Sequence, residues 1–354
     1  MNKDTPIIEI ETCKIITNKM ELIPYSLRLG KNLSLSVIQE WIRGRALQSN
    51  RKNSDKIYSY LGLDKYEDTL KLMYMSHSLS LNDNYWIVDE SELNKTKYSN
   101  INLFDNQFNK DLYSVALLGK EHKTSGYLTS AEYTGQGAYT KCFIKEADGV
   151  YMYKNSSRHA IYCEILSGRI ASILDFSSVT YEAATFMNVE CTKSRIVSGI
   201  STNWETAADL TRFFDQTEYK IPQEFMLRAR TEQYCNMIAF DAIILNDDRH
   251  MKNWAFEFDA DTNELIGLAP SYDYNNAFNG DKNTLSLLLF NGNRHVNILS
   301  AARIAYRDYG ITLNFNNLDN YLDSYNLSIN KQALKNRIKY IKGEKSNQND
   351  CYEV

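Results

Sequence analysis

The chain has 354 residues, of which 44 are acidic and 40 are basic, and its formal net charge is −4. This length exceeds one typical domain and predicts two or three packed units. Hydrophobic residues make up 43% of the chain, which is enough for buried cores. No apolar run approaches the roughly 20 residues that span a bilayer, and the net charge offers no global attraction for nucleic acid. The composition therefore argues against a membrane-spanning protein and gives no clear sign of nucleic-acid binding.

Six cysteines are scattered through the sequence without a Cys-x-x-Cys pair. The first residues, Met-Asn-Lys-Asp-Thr-Pro, lack the apolar core of a secretory signal. Both features predict reduced thiols and a cytoplasmic location. Two basic stretches, 43–52 and 331–345, are expected to be solvated helix faces rather than surfaces that bind nucleic acid.

The first 120 residues predict three helices, at 34–51, 55–61 and 66–75. The remainder of this region mixes turn residues with apolar anchors. We interpret residues 1–120 as a mixed, mostly helical extension that stabilises the lobe after it. A regulatory or substrate-docking module is the alternative.

Residues 134–139, Thr-Gly-Gln-Gly-Ala-Tyr, predict a glycine loop in front of a β-hairpin. Gly135 and Gly137 allow the backbone to approach an anion, and its amides can donate to phosphate oxygens. The hairpin strands are predicted at 140–145 and 150–154, so Lys154 stands at the end of the second strand. An ordinary turn is the alternative for this short glycine pattern.

A helix predicted at 157–175 carries Glu164 among regularly spaced apolar residues. We expect Glu164 to pair with Lys154, because a glutamate can orient the lysine ammonium toward nucleotide phosphates. Lysine and glutamate are also common solvated surface residues. The order of glycine loop, lysine and glutamate, and not either residue alone, therefore indicates a nucleotide clamp.

Residues 246–253 read Asn-Asp-Asp-Arg-His-Met-Lys-Asn and follow a buried helix predicted at 224–246. A hairpin predicted at 254–268 follows and would return Asp273 beside Asn253. Asp248 can accept a proton from a hydroxyl, and Asn253 and Asp273 are oxygen ligands for a cation. Transfer of a phosphoryl group needs little more than such positioning and charge neutralisation. A polar loop without chemistry is the alternative.

The run from Asn246 to Asn253, followed by Pro-Ser-Tyr-Asp at 270–273, resembles the HipA-like kinases, whose catalytic loops often read Asn-x-Asp-Arg-His-x-x-Asn. The resemblance implies a bilobal protein-kinase-like fold of the α+β class that uses ATP and Mg²⁺. It also implies that Asp248 is catalytic and that Asn253 and Asp273 bind magnesium. His250 belongs to the motif and either takes part in catalysis or braces the loop.

Three functions stay open. The first is a kinase that phosphorylates a Ser/Thr hydroxyl of a protein; family members often act as toxins, which implies an antitoxin partner. The second is a lipid or small-molecule kinase, because phosphatidylinositol 3-/4-kinases share the Asp-Arg-His-x-x-Asn core. The third is a pseudokinase or nucleotide-binding scaffold, because the glycine loop matches HipA only loosely. The candidates for self-phosphorylation are Ser125, Thr129, Ser130 and Thr134.

The expected organisation has four parts. These are the extension at 1–120, an amino lobe at 121–200 with the glycine loop and Lys154, a mostly helical carboxy lobe at 201–345 with the catalytic loop, and a flexible tail at 346–354.

Overall fold

The computed structural model describes residues 1–28, 33–122, 129–135, 137–213, 231–278, 297–324, 329–346 and 348–353. Two compact units are formed, and the mixed α+β class is confirmed. The first unit consists of Met1–Ser156, Glu182–Glu205 and Glu257–Glu264, and the second of Ser157–Tyr181, Thr206–Phe256 and Leu265–Val354. The predicted boundaries at 120, 200 and 345 stay predictions. Ser125 and Gln136 lie outside the described residues.

The first unit begins with short helices. They are α1 (Tyr25–Arg28), α2 (Leu35–Arg45), α3 (Ser54–Tyr60), α4 (Thr69–Met75), α5 (Tyr98–Ile101) and α6 (Asp111–Leu118), with 3-10 turns at Met20–Leu22, Glu90–Glu92 and Ala131–Thr134 and a small ribbon of β1 (Ile8–Glu9) and β2 (Lys14–Ile15). Apolar side chains of α2 to α6 share one buried cluster with the sheet of this unit. This agrees with the predicted, mostly helical character of residues 1–120.

The predicted helix at 34–51 is wrong beyond residue 45. Ser34 caps α2 by accepting the Val37 N–H, and the helix ends at Arg45 because Ala46 is extended. The following N–H groups bind elsewhere: Leu47 donates to the Tyr133 carbonyl at 2.8 Å and Lys52 to the Ala138 carbonyl at 2.9 Å. Tertiary hydrogen bonds thus replace the helix. The solvated face expected at 43–52 is also wrong at Arg51, which is buried.

A four-stranded sheet forms the other half of this core. Its order is β3 (Thr140–Glu146), β4 (Gly149–Asn155), β6 (Val189–Arg195) and β5 (Tyr181–Phe186). The predicted hairpin is confirmed, and β3 pairs with β4 so that Lys141 lies opposite Lys154. A second, three-stranded sheet has the order β7 (Thr202–Thr206), β8 (Ala255–Asp259) and β9 (Leu265–Leu268). The last two strands confirm the hairpin predicted at 254–268.

The second unit is mostly helical in its described residues. Its helices are α7 (Arg158–Ile173), α8 (Ala207–Phe213), α9 (Thr231–Ile244), α10 (Ile298–Tyr309), α11 (Phe315–Ser324) and α12 (Lys331–Lys342). Apolar side chains on all sides of α9 are buried, and α9 packs against α10 and α12. The predicted helix at 224–246 is confirmed over 231–244; residues 224–230 lie outside the described part. Leu245, with a φ of 49°, ends it.

The predicted flexible tail contains a packed segment. Residues Gln348–Tyr352 form a 3-10 turn in which Cys351 and Tyr352 are buried. Arg337 of α12 donates to the carbonyls of Cys351 and Glu353 at 2.6 Å each. These bonds hold the segment against the second unit. In the described part of the chain, no helix combines the length and apolarity needed to cross a membrane.

Candidate active site

Arg249 joins the two polar stretches that the sequence singles out. Its guanidinium is buried and binds both carboxylate oxygens of Asp241 on α9, at 2.9 and 3.0 Å. Its Nη1 donates to the Asn253 carbonyl and, at 2.6 Å, to the Tyr272 carbonyl. One nitrogen therefore fixes the backbone of the first stretch beside the residue that precedes Asp273. We call Arg249 and its three partners Asp241, Asn253 and Tyr272 the arginine clamp.

Burial disfavours the charged guanidinium, but the Asp241 carboxylate beside it raises the pKa of Arg249 above its ordinary value. The cation is therefore permanent. A second link lies alongside it, since the Tyr272 hydroxyl donates to the Lys252 carbonyl at 3.1 Å. The structure thus brings Asn253 and the segment of Asp273 together, as the predicted hairpin requires.

The loop from Asn246 to Asn253 is held by its own polar groups. The Asn246 amide donates to Asp241 at 2.9 Å, and the Asn253 Nδ2 donates to the Asp248 carbonyl at 2.8 Å. The Asn253 N–H donates to the His250 carbonyl at 2.8 Å. The amide nitrogen of Asn253 only donates, so Oδ1 is the side-chain atom that can bind a cation.

Asp248 is partly exposed, with 35% of its side chain accessible to solvent. Desolvation raises the pKa of this carboxyl, and the nearby negative charge of Asp273 adds to the rise. His250 is the main group that opposes this rise in pKa, and the Asn276 amide opposes it further by donating to Oδ2 at 3.1 Å. An accessible carboxylate with a raised pKa has the properties of a general base.

His250 lies at the rim of the site, with its Nε2 at 3.8 Å from the Asp248 Oδ1. Its Nδ1 accepts the Lys252 N–H at 3.2 Å, which assigns the proton of the neutral ring to Nε2. This tautomer directs an N–H toward Asp248. The bond from the Lys252 N–H is a bracing contact within the loop, and a part for His250 in catalysis stays a prediction.

Asp273 has a φ of 63°, which is uncommon for a residue other than glycine. Its N–H donates to the hydroxyl of the buried Tyr181 at 3.0 Å. Ser271, two residues earlier, exchanges backbone hydrogen bonds with Ser177 and Val179 at 3.0 and 2.9 Å. The backbone around Asp273 is therefore held on both sides, which is how a local conformation of higher energy persists at a functional site.

The donor set fits Mg²⁺. The described residues include no group of three or more His, Cys, Asp or Glu side chains that could hold a metal ion by themselves. Magnesium does not need one, because it is usually bound through one or two carboxylates together with substrate phosphates. Asp273 supplies an anionic oxygen and Asn253 a neutral one. These residues would hold the ion beside Asp248, whose pKa responds to the charge of Asp273.

The glycine loop lies in the first unit, and its two glycines differ. Gly137 is exposed and has a φ of +89°, a conformation that L side chains rarely adopt. Gly135 is buried with an ordinary φ of −72°. A Cβ at Gly135 would overlap the Nη1 of Arg51, so this glycine makes room for an arginine. The expectation that the backbone at Gly135 and Gly137 approaches a phosphate stays a prediction, and the space left for Arg51 gives Gly135 a packing role as well.

Lys154 is buried at the end of β4, with its Nζ at 5.8 Å from the centroid of the Tyr139 ring in the loop. Lys141, which no sequence motif marks, is buried directly opposite it on β3. A Cβ at Gly137 would lie 2.8 Å from the Lys141 Nζ. Two cations therefore stand on one face of the hairpin beside the loop. The predicted turn at 146–149 already fixes this register and could have revealed Lys141.

Glu164 is completely buried in α7 of the second unit. Burial and the Glu164 carboxylate raise the pKa of Tyr181, the residue that binds the Asp273 N–H. Glu164 is therefore near the segment of Asp273 and is not the solvated side chain of the alternative reading. Its pairing with Lys154, which belongs to the first unit, stays a prediction.

No protein-family model and no curated protein matches the chain. Among solved structures, a Helicobacter pylori proinflammatory kinase, CtkA, is similar over 61% of this chain and 92% of its own, with 14% identity and a TM-score of 0.41. A chain of the Shewanella oneidensis MR-1 toxin–antitoxin complex of HipA, HipB and operator DNA is similar over 88% of this chain and 79% of its own, with 12% identity and a TM-score of 0.49.

Proposed function

We propose that the chain is an ATP- and magnesium-dependent kinase that phosphorylates a Ser or Thr hydroxyl of a protein. The observation that carries the proposal is the arginine clamp, which binds the backbone of Asn253 and of the residue before Asp273 with one nitrogen. A structural loop has no need to bring an accessible carboxylate, an amide oxygen and a second carboxylate together. Phosphoryl transfer needs this set.

In the proposed reaction Asp248 accepts the proton of the acceptor hydroxyl as its oxygen attacks the γ-phosphorus. The bond from that phosphorus to the β–γ bridging oxygen breaks, and ADP leaves with the electron pair. A bound Mg²⁺ neutralises charge on the phosphates. Asn253 and Asp273 would hold that ion, while the backbone at Gly137 and the ammonium groups of Lys141 and Lys154 would hold the phosphates.

The test uses purified protein with γ-labelled ATP and Mg²⁺, alone and with cell lysate. Asp248→Asn and Asp273→Ala are the active-site variants, and Asp247→Asn is the matched control because it removes the neighbouring carboxylate. Label on protein that is lost in both active-site variants and kept in the control supports the proposal. Label that partitions into a lipid extract assigns the acceptor to lipids instead. Nucleotide-dependent thermal stabilisation without transfer would indicate a nucleotide-binding scaffold. If neither transfer nor stabilisation is observed, nucleotide binding itself is ruled out.

We further propose an antitoxin protein as a partner, on the resemblance of residues 246–253 to the HipA-like kinases. Such a kinase arrests growth when it is expressed without its antitoxin. Expression of the wild-type chain should therefore stop growth, whereas Asp248→Asn should not. Equal growth with both chains would contradict a toxin role and would leave the proposed reaction itself in place.

A further inference from the structure

Arg51 belongs to the amino-terminal extension, yet its side chain lies within the segment that forms the glycine loop. Its Nη2 donates to the Glu132 Oε2 at 2.8 Å and to the Lys141 carbonyl at 2.6 Å. Glu132 in turn accepts the Phe143 N–H at 2.7 Å through Oε1. Both members of the ion pair have fully buried side chains. The pair thus joins the residues before the loop to the strand after it.

The loop is shaped around this arginine. Gly135 leaves the space that the Arg51 Nη1 occupies, and the Phe143 ring would be 3.2 Å from a Cβ at the same position. The main chain of the extension adds one hydrogen bond on each side of Gly135: the Leu47 N–H donates to the Tyr133 carbonyl, and the Lys52 N–H donates to the Ala138 carbonyl. Residues 47–52 therefore hold the loop segment at its start, at its tip and at its exit into β3.

We propose that Arg51 is a positioning residue for nucleotide binding. It keeps the glycine loop in its binding conformation and thereby makes the extension a determinant of nucleotide affinity. The inference rests on the proposed function, because it takes the loop to be the phosphate-binding element. Arg51 contacts no reacting atom. Its effect is on the fraction of molecules whose loop is ready to bind.

A buried ion pair must be tested without stranding one charge, because an unpaired buried carboxylate destabilises the fold by itself. The test variant is therefore Arg51→Met with Glu132→Gln, in which the glutamine keeps an oxygen for the Phe143 N–H. The matched control is Arg45→Met with Asp83→Asn. Arg45 and Asp83 form a buried pair of the same extension, at 2.6 and 2.8 Å, and the asparagine keeps an oxygen for the Tyr85 N–H.

Arg45 donates to Ser78, Asp83 and Tyr85 and lies over the Trp41 ring, and none of these residues belongs to the loop. Both double variants lose one buried pair, so both are expected to lower the melting temperature. The Arg51 variant alone should raise the dissociation constant of Mg·ATP, measured by titration calorimetry. If a tenth of the molecules keep the competent loop, the rise is about tenfold, and kcat at saturating ATP changes far less than KM.

Hydrogen exchange gives a readout that does not depend on nucleotide. Amides of residues 131–135 and 137–141 should exchange faster in the Arg51→Met/Glu132→Gln variant than in the control, without ATP. Equal ATP affinity and equal exchange in the two double variants would overturn the positioning role. If the loop amides exchange faster in the Arg51→Met/Glu132→Gln variant but the wild-type protein binds no ATP, then Arg51 does hold the loop and the proposed function is wrong.

Discussion

Arg249→Met should lower the free energy of unfolding and also abolish the proposed phosphoryl transfer. The substitution leaves the Asp241 carboxylate buried without its counter-charge, a change that costs about 3–5 kcal/mol. The Asn246 amide still donates to that carboxylate at 2.9 Å, so we expect the lower end, about 3 kcal/mol. The carbonyls of Asn253 and Tyr272 lose their shared donor as well, so that of the two links described between the loop and the segment of Asp273, the bond from the Tyr272 hydroxyl to the Lys252 carbonyl remains.

The free energy of unfolding from urea titration measures the first effect, and transfer of label from ATP measures the second. Adding Asp241→Asn should recover part of the stability, because no charge is then buried alone, but should not recover transfer. Arg337→Met is the control: this arginine is also buried in the second unit, and it donates to the carbonyls of Cys351, Ile243 and Glu353, none of which belongs to the clamp. It should lower stability and keep transfer wherever the protein is folded. An Arg249→Met variant that transfers phosphate at the wild-type rate would refute the clamp.

Three further predictions concern pH, the metal and the loop. Because the proposed transfer requires ionised Asp248, activity should fall as the pH falls through the raised pKa of this carboxyl. Asn276→Ala removes a hydrogen bond to the ionised carboxylate and should therefore move this acid limb of the pH–rate profile to higher pH. An unchanged acid limb would count against Asp248 as the base. Tyr181→Phe leaves the Asp273 N–H without its acceptor, which should lower the free energy of unfolding by about 1–3 kcal/mol and raise the Mg²⁺ concentration for half-maximal transfer. An unchanged magnesium dependence would contradict the proposed role of Asp273 as a magnesium ligand. Gly137→Ala should weaken ATP binding at least about tenfold (about 1.4 kcal/mol), because Gly137 has a φ of +89° and the Lys141 ammonium lies close to the added Cβ. Gly62→Ala is the control, since Gly62 has a similar φ of +68° with open space around it, and it should leave ATP binding unchanged. Equal ATP affinities of the two variants would reject the loop as the phosphate site.

Local sequence patterns predict most of the elements that carry the candidate site. The hairpin of β3 and β4, the helix α7 and the loop at 246–253 follow from apolar periodicity and turn residues, which act within a few residues of each other. The position of Asp273 also followed, because a short hairpin returns the chain to where it began. These elements needed no knowledge of distant contacts.

The residues that hold the site were misread or missed. Arg51 looked like part of a solvated basic stretch, but its partners Glu132 and Lys141 lie 81 and 90 residues away. Arg249 lies within the motif at 246–253, but the motif does not reveal its role, because two backbone carbonyls and a helix carboxylate set that role. Partner choice over such separations is decided by tertiary packing, which no window of sequence reports.

Residues 47–52 make the extension inseparable from the loop that it supports. Leu47 and Lys52 contribute main-chain N–H groups, so most residue types at these positions would serve as well, whereas the guanidinium of Arg51 has few substitutes. A fragment that starts after residue 120 would retain every group proposed for catalysis but would leave Glu132 without the guanidinium that pairs with it. A chimaera that borrows this catalytic half would therefore have to inherit residues 47–52 with it.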